Sequence, residues 1–127
     1  MYDWLNRTKP VFKEDEFLKI YIDFNRTELI RRISIRVSKM LKEGAIDEVR
    51  KFCRQKIKKD HSINKVIGID ELTKYLRNQI SLEEAKEQIS IRTRQYAKRQ
   101  ATWARSRMIS WNKISPNEIS SWIKKIK

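Results

Sequence analysis

Hydrophobic residues change their spacing along this chain. In FLKIYIDF (residues 17–24), Leu18, Ile20, Ile22 and Phe24 alternate with Phe17, Lys19, Tyr21 and Asp23, the two-residue period of a β-strand. A lone strand leaves backbone donors and acceptors unpaired. It is therefore expected to complete a sheet, with material missing from this chain or with the chain's own terminus. From Thr27 the period lengthens. Leu29, Ile30, Ile33, Val37, Met40 and Leu41 form one helical stripe that stops at Gly44, which tolerates the positive φ of a helix C-terminus. A second helix from about Ile46 turns Ile46, Val49, Phe52 and Cys53 inward and Arg50, Lys51 and Arg54 outward.

KIKKDHSINK (56–65) reads as a polar connection. Asp70 stands where it could cap a short helix, ELTKYLRN, that buries Leu72, Tyr75 and Leu76. Ser81 and Glu84 make an S-x-x-E capping box for a long helix to about Arg105, with Leu82, Ala85, Ile89, Tyr96 and Trp103 along one side. Ser115-Pro116-Asn117-Glu118 repeats the device ahead of a terminal helix expected to bury Ile119, Trp122, Ile123 and Ile126. Residues 1–16, with Pro10 and the charged KEDE, read as a lead-in. The expected fold is mainly α, with one strand near residues 17–24. A single 127-residue unit is expected, with a helical body over 27–108 and a terminal helix over 116–127.

Composition narrows the chemistry. The only glycines are Gly44 and Gly68, 24 positions apart. A GxxxxGK[ST] phosphate loop needs two glycines five apart and a dinucleotide fingerprint needs three close together, so neither is present. One cysteine (Cys53) and one histidine (His61) exclude a Cys/His zinc site and any disulfide framework. As nucleophile and base, Cys53 and His61 lack a third orienting group. Glu83, Glu84 and Glu87 lie at a helix start, where they complement the helix dipole rather than gather a metal. No apolar run reaches transmembrane length, and MYDWLNRTKP lacks the apolar segment of a signal peptide, so a cytoplasmic location without a membrane partner is expected.

Charge then supplies a partner. Thirty Lys+Arg against 16 Asp+Glu give a net charge of +14, the field of a protein that meets a polyanion. No acidic residue occurs between Glu87 and Glu118, an interval holding Arg92, Arg94, Lys98, Arg99, Arg105, Arg107 and Lys113 interleaved with Tyr96, Trp103 and Trp111. Cations for phosphates and rings for unpaired bases suit RNA better than a lipid surface.

The run TRQYAKRQATWAR (93–105) resembles the C-terminal signature of tRNA dimethylallyltransferases, also called tRNA isopentenyltransferases. Three further segments are similar to that family in the same order: IYIDFNRTEL (20–29), ELIRRISIRVSKMLKEGAIDEVRKF (28–52) and VIGIDELTKYLRNQISLEEA (66–85). The resemblance covers about residues 15–108 and, more loosely, both ends. It implies the helical C-terminal part of an α/β transferase with a nucleotide-kinase-like phosphate loop. Such an enzyme moves a dimethylallyl group from dimethylallyl pyrophosphate, with Mg²⁺, to the exocyclic amine of the adenosine 3′ of the tRNA anticodon. The family's phosphate loop and proposed general base lie in its first half, which this sequence does not include. The chain is accordingly expected to bind no cofactor alone and to act with a separate chain carrying that half. A split gene, a decayed gene and a truncation would all present this sequence.

By the same resemblance, Arg36 of Arg32-Ile33-Ser34-Ile35-Arg36-Val37 contacts the leaving pyrophosphate. Lys65, Val66, Ile67, Gly68, Ile69 and Asp70 form one tRNA-contacting segment, and Lys98, Arg99, Gln100, Ala101, Thr102, Trp103, Ala104 and Arg105 another. Arg92 and Arg94 extend the basic face, and Trp103 is open to two readings, a buried anchor or a ring that stacks on RNA. The sequence departs from the family at Ile69, where a tyrosine is usual, at Ala104, where a phenylalanine is usual, and in Tyr75-Leu76-Arg77-Asn78-Gln79, which lacks a usual glycine. Two other functions stay open: a free-standing helical RNA-binding module, and an inert remnant.

Overall fold

The computed structural model describes residues 7–9, 11–55, 57, 58 and 61–126. Residues 1–6 and Pro10 of the lead-in, and Lys56, Lys59 and Asp60 of the polar connection, lie outside them. The chain divides into two compact units, one of residues 24–107 and one of residues 1–23 with 108–127.

The larger unit holds α1 (Arg26–Lys42), α2 (Ala45–Arg54), α3 (Ile69–Leu76) and α4 (Leu82–Arg107). Their apolar faces meet in one core of Ile33, Val37, Ala45, Val49, Leu72, Ala85 and Ile89, with Leu29, Met40, Leu41, Tyr75 and Leu76 packed around it. Each junction follows from local chemistry. The Asn25 side chain caps α1 by accepting the Thr27 N–H. Gly44, at φ +110°, turns the chain from α1 into α2. The Ser81–Glu84 box forms as expected: the Ser81 N–H donates to Glu84 Oε2 at 2.7 Å and the Glu84 N–H to Ser81 Oγ at 3.2 Å. α4 then runs 26 residues, about 39 Å at the α-helical rise.

At the end of α3, Asn78 takes φ +57°. Its N–H bonds to Tyr75 O, and that of Gln79 to Lys74 O, the paired bonds of a Schellman closure. Asparagine is the L-residue best suited to that conformation, so Asn78 does the work of the glycine missing after Tyr75-Leu76.

Several expectations are corrected. Asp70 is not the cap of α3. That position is Gly68, at φ +108°, while Asp70 sits in the first turn and pairs with Lys74 at 2.8 Å. Cys53 is exposed, its thiol 3.5 Å from Thr73 Oγ1, because it lies at the edge of the α2 stripe rather than on it. Ile30 lies at the exposed edge of the α1 stripe. Tyr96 and Trp103 are open to solvent, at 49% and 57% exposure. The line of buried residues along α4 runs instead through Ala85, Ile89 and Ala104, and neither ring belongs to the core.

In the smaller unit the strand is shorter than expected, β1 (Ile20–Ile22), and it finds its partner within the chain. β2 (Asn112–Ile114) pairs with it in parallel, Ile20 opposite Asn112 and Ile22 opposite Ile114. NKI gives no period-2 signal long enough to read. After β2, a 3₁₀ turn (Pro116–Glu118) leads into α5 (Ile119–Ile126), and the Ser115 N–H donates to Glu118 Oε2 at 2.7 Å. Ile119 and Trp122 are half-buried, whereas Ile123 is exposed and the side chain of Ile126 lies outside what is described.

The caps make stability depend on acid. Hydrogen bonds from Arg31 and then Arg32 hold Glu28 at about 2, down from its ordinary 4.5. The Ser81 backbone N–H, with its side chain contributing, lowers Glu84, and Ser115 does the same for Glu118. A lowered carboxylate stabilises the fold above its unfolded value and loses that contribution as pH falls through its folded value. The far-ultraviolet helical signal is expected to hold from neutral pH to about 5 and to decline between about 4.5 and 2. Because these pairs are exposed, the decline should shrink in high salt. A signal unchanged down to pH 2 would contradict the capping scheme.

Candidate nucleic-acid interface

The expected site residues are not one patch. At about 100° per residue, Tyr96, Arg99 and Trp103 fall within about 40° of Arg92 around α4, at spacings i, i+4, i+7 and i+11. Arg94, Lys98 and Arg105 are turned about 200–240° from Arg92, on the other flank of the packed line. Arg94 accordingly lines a different cleft, with Ser34, Glu83 and Glu87 among its walls. A basic run read along the sequence becomes two flanks of one helix.

The Arg92 flank meets the other expected segment. Lys65, Val66 and Ile67 face Arg92, Gln95, Tyr96 and Arg99 across a cleft of about 510 Å³. Arg99 lies over the Tyr96 ring at 5.8 Å, a cation–π arrangement that leaves both groups at the surface. Val66 is half exposed, Gly68 is buried and Asp70 is exposed on α3, so the six residues Lys65–Asp70 divide between cleft wall and helix start. Gln100 and Thr102 are exposed; the Thr102 hydroxyl donates back to Lys98 O at 3.0 Å. Ala101 is half-buried and Ala104 buried, neither offering a polar side chain.

Glu71 is a residue that sequence reading passed over. It is 1% exposed. Its Oε2 accepts the Gly68 N–H at 2.9 Å, and its Oε1 accepts Arg92 Nη1 at 2.5 Å. The only signal available was its place three residues after Gly68, a capping spacing shared by many surface glutamates.

Arg36 stands apart on α1, exposed, in a cleft of about 360 Å³ with Lys39, Met40, Glu43, Ala45 and Glu48. Lys39 pairs with Glu43 at 3.6 Å, while no carboxylate among the described residues pairs with Arg36. Cys53 and His61 are both exposed and make no hydrogen bond to each other. Those residues contain no group of three or more His, Cys, Asp or Glu side chains that could hold a metal, and no helix long and apolar enough to cross a membrane.

Comparison with known proteins gives this arrangement a lineage. A family model described as IPP transferase matches residues 1–107. A tRNA dimethylallyltransferase of Pelagibacter ubique is 59% identical over all 127 residues, which span 41% of that relative. One of Maricaulis maris is 37% identical over 84% of this chain and 35% of its own length. Among solved structures, a tRNA isopentenylpyrophosphate transferase of Bacillus halodurans superposes with a TM-score of 0.69 at 35% identity, over 77% of this chain and 32% of that one. A tRNA delta(2)-isopentenylpyrophosphate transferase of Staphylococcus epidermidis gives 0.72 at 32% identity, over 85% and 38%. The chain thus spans about two fifths of the length of the curated relatives it matches. It belongs to the IPP transferase family and corresponds to the C-terminal part of the family's tRNA dimethylallyltransferases.

Proposed function

We propose that this chain is the tRNA-binding, C-terminal part of a dimethylallyltransferase, holding the anticodon arm of tRNA in the cytoplasm. It contributes to prenyl transfer only together with an N-terminal part that carries the phosphate loop and the base. The observation that carries this reading is the cleft between Lys65–Ile67 and the Arg92–Tyr96–Arg99 flank of α4, where cations and an open ring meet on a chain of charge +14. Cations there neutralise phosphates, and Tyr96 and Trp103 offer π-faces to unstacked loop bases.

In the reaction, the exocyclic amine of the adenosine forms a C–N bond to the allylic carbon while the C–O bond to pyrophosphate breaks, and the amine gives up a proton to the base of the N-terminal part. Charge grows on pyrophosphate, and Arg36, a fork of donors without a carboxylate partner among the described residues, is suited to receive it. We assign the Mg²⁺ that the family's reaction uses to the N-terminal part, together with the phosphate loop.

The test mixes this chain with the N-terminal part of the Pelagibacter ubique relative and follows a labelled dimethylallyl group into tRNA. Transfer is expected from the mixture and not from either part alone. Tight, salt-sensitive tRNA binding without transfer in the mixture would favour the free-standing RNA-binding module, which the self-contained core of residues 24–107 also permits. Broad, non-cooperative melting with neither binding nor transfer would identify a remnant.

A further inference from the structure

Glu71 is a buried carboxylate whose two oxygens reach two different parts of the cleft. Oε2 holds the N–H of Gly68, which closes the turn after Lys65–Ile67. Oε1 holds Arg92, the first residue of the Arg92–Tyr96–Arg99–Trp103 line. We propose that Glu71 is a positioning residue: it locks the Lys65–Gly68 turn to α4 and presents Arg92 so that one edge of the guanidinium stays on Glu71 and the other binds an RNA phosphate. This rests on the reading of the cleft as an RNA site.

The geometry favours a shared arginine over a purely structural pair. Arg92 keeps 41% of its side chain exposed while Glu71 keeps 1%, so the pair is buried at one end and open at the other. Of the five N–H donors of a guanidinium, Glu71 takes Nη1, and the remaining ones are available to a second anion at the cleft wall. The ion pair by itself is weak evidence of a purely stabilising role, since apolar side chains often replace a buried pair without loss. Holding Gly68 and Arg92 together also fixes the spacing between the cleft's two walls, which a phosphate bound to both would read.

The test uses the full 127-residue chain, a fluorescent anticodon stem-loop RNA, and binding measured over a salt series, with thermal melts beside it. Glu71→Leu removes both acceptors and is expected to weaken binding about tenfold. Glu71→Leu/Arg92→Leu removes the orphaned guanidinium and should recover part of the melting temperature, the Gly68 N–H still lacking its acceptor, without recovering affinity. Its slope of log K against log salt should be shallower by about 0.7–0.9, one phosphate contact. Glu71→Gln keeps one acceptor oxygen and sets an NH₂ donor against the other partner, so it should recover only part of the affinity lost in Glu71→Leu.

Should the double variant melt below the assay temperature, Arg92→Lys decides. It keeps the ion pair but has no fork to span two anions, and should bind about fivefold more weakly. The proposal is overturned if the double variant, or Arg92→Lys in its place, binds with unaltered affinity and slope. An unaltered chain that binds no RNA overturns the reading of the cleft and this assignment with it, so the two failures are told apart.

Discussion

Arg36→Ala is expected to slow prenyl transfer about 100-fold or more while leaving tRNA affinity within about twofold. The two effects separate because Arg36 and the cleft lie on different helices. Arg36 is on α1 in a cleft with Lys39 and Met40, whereas the cleft proposed for RNA is built from α4 and the turn before α3. A guanidinium that meets pyrophosphate only as the C–O bond breaks acts on the transition state and not on the bound tRNA, so kcat should fall with little change in KM for tRNA. Arg36→Lys should recover part of the loss, since a single ammonium restores charge without the bidentate fork. The assay is single-turnover transfer by this chain mixed with the N-terminal part of the Pelagibacter ubique relative. Unchanged turnover in Arg36→Ala would remove Arg36 from the site and leave it an exposed arginine on α1.

How much of this was legible in the sequence depends on whether a feature is carried by spacing or by meeting. Helix boundaries were legible, because Gly44 and the Ser81–Glu84 box act over three or four residues and declare themselves locally. β2 was not, since NKI is three residues long and its pairing with β1 joins positions more than 90 residues apart. Tyr96 was misplaced, and Trp103 left open, for one shared reason. A helical stripe gives the direction of a side chain but not the length of helix that has something to pack against, and α4 outruns its core. The basic run of α4 was visible as composition, yet its division into two flanks emerges only when the helix is wound and the core fixes which side is inward. Glu71 was least legible. Its role lies in two bonds, one to Gly68 three residues back and one to Arg92 twenty-one residues on, and only the first has a sequence signature.

That division of α4 yields the second large effect. Arg99→Ala/Trp103→Ala, on the cleft flank, is expected to weaken anticodon stem-loop binding about 100-fold or more, and Lys98→Ala/Arg105→Ala, on the other flank, about tenfold. The two pairs should also differ in kind. Lys98 and Arg105 act through charge, so their loss should make the salt slope shallower by up to about 1.4–1.8. Arg99→Ala/Trp103→Ala removes one charge and one ring: the slope should fall by at most about 0.7–0.9, and the remaining loss should persist at high salt, because stacking on a π-face is not screened. Trp103, with 57% of its surface open, has the free face such stacking needs, and Arg99 already lies over Tyr96 at the cleft's edge. All four side chains are exposed, so neither double variant opens the core, and melting temperatures should stay close to that of the unaltered chain. Equal losses with equal slopes would mean that RNA sees α4 as a uniformly charged rod. A larger loss from Lys98→Ala/Arg105→Ala would move the RNA to the Arg94 flank, and with it the cleft that the RNA occupies.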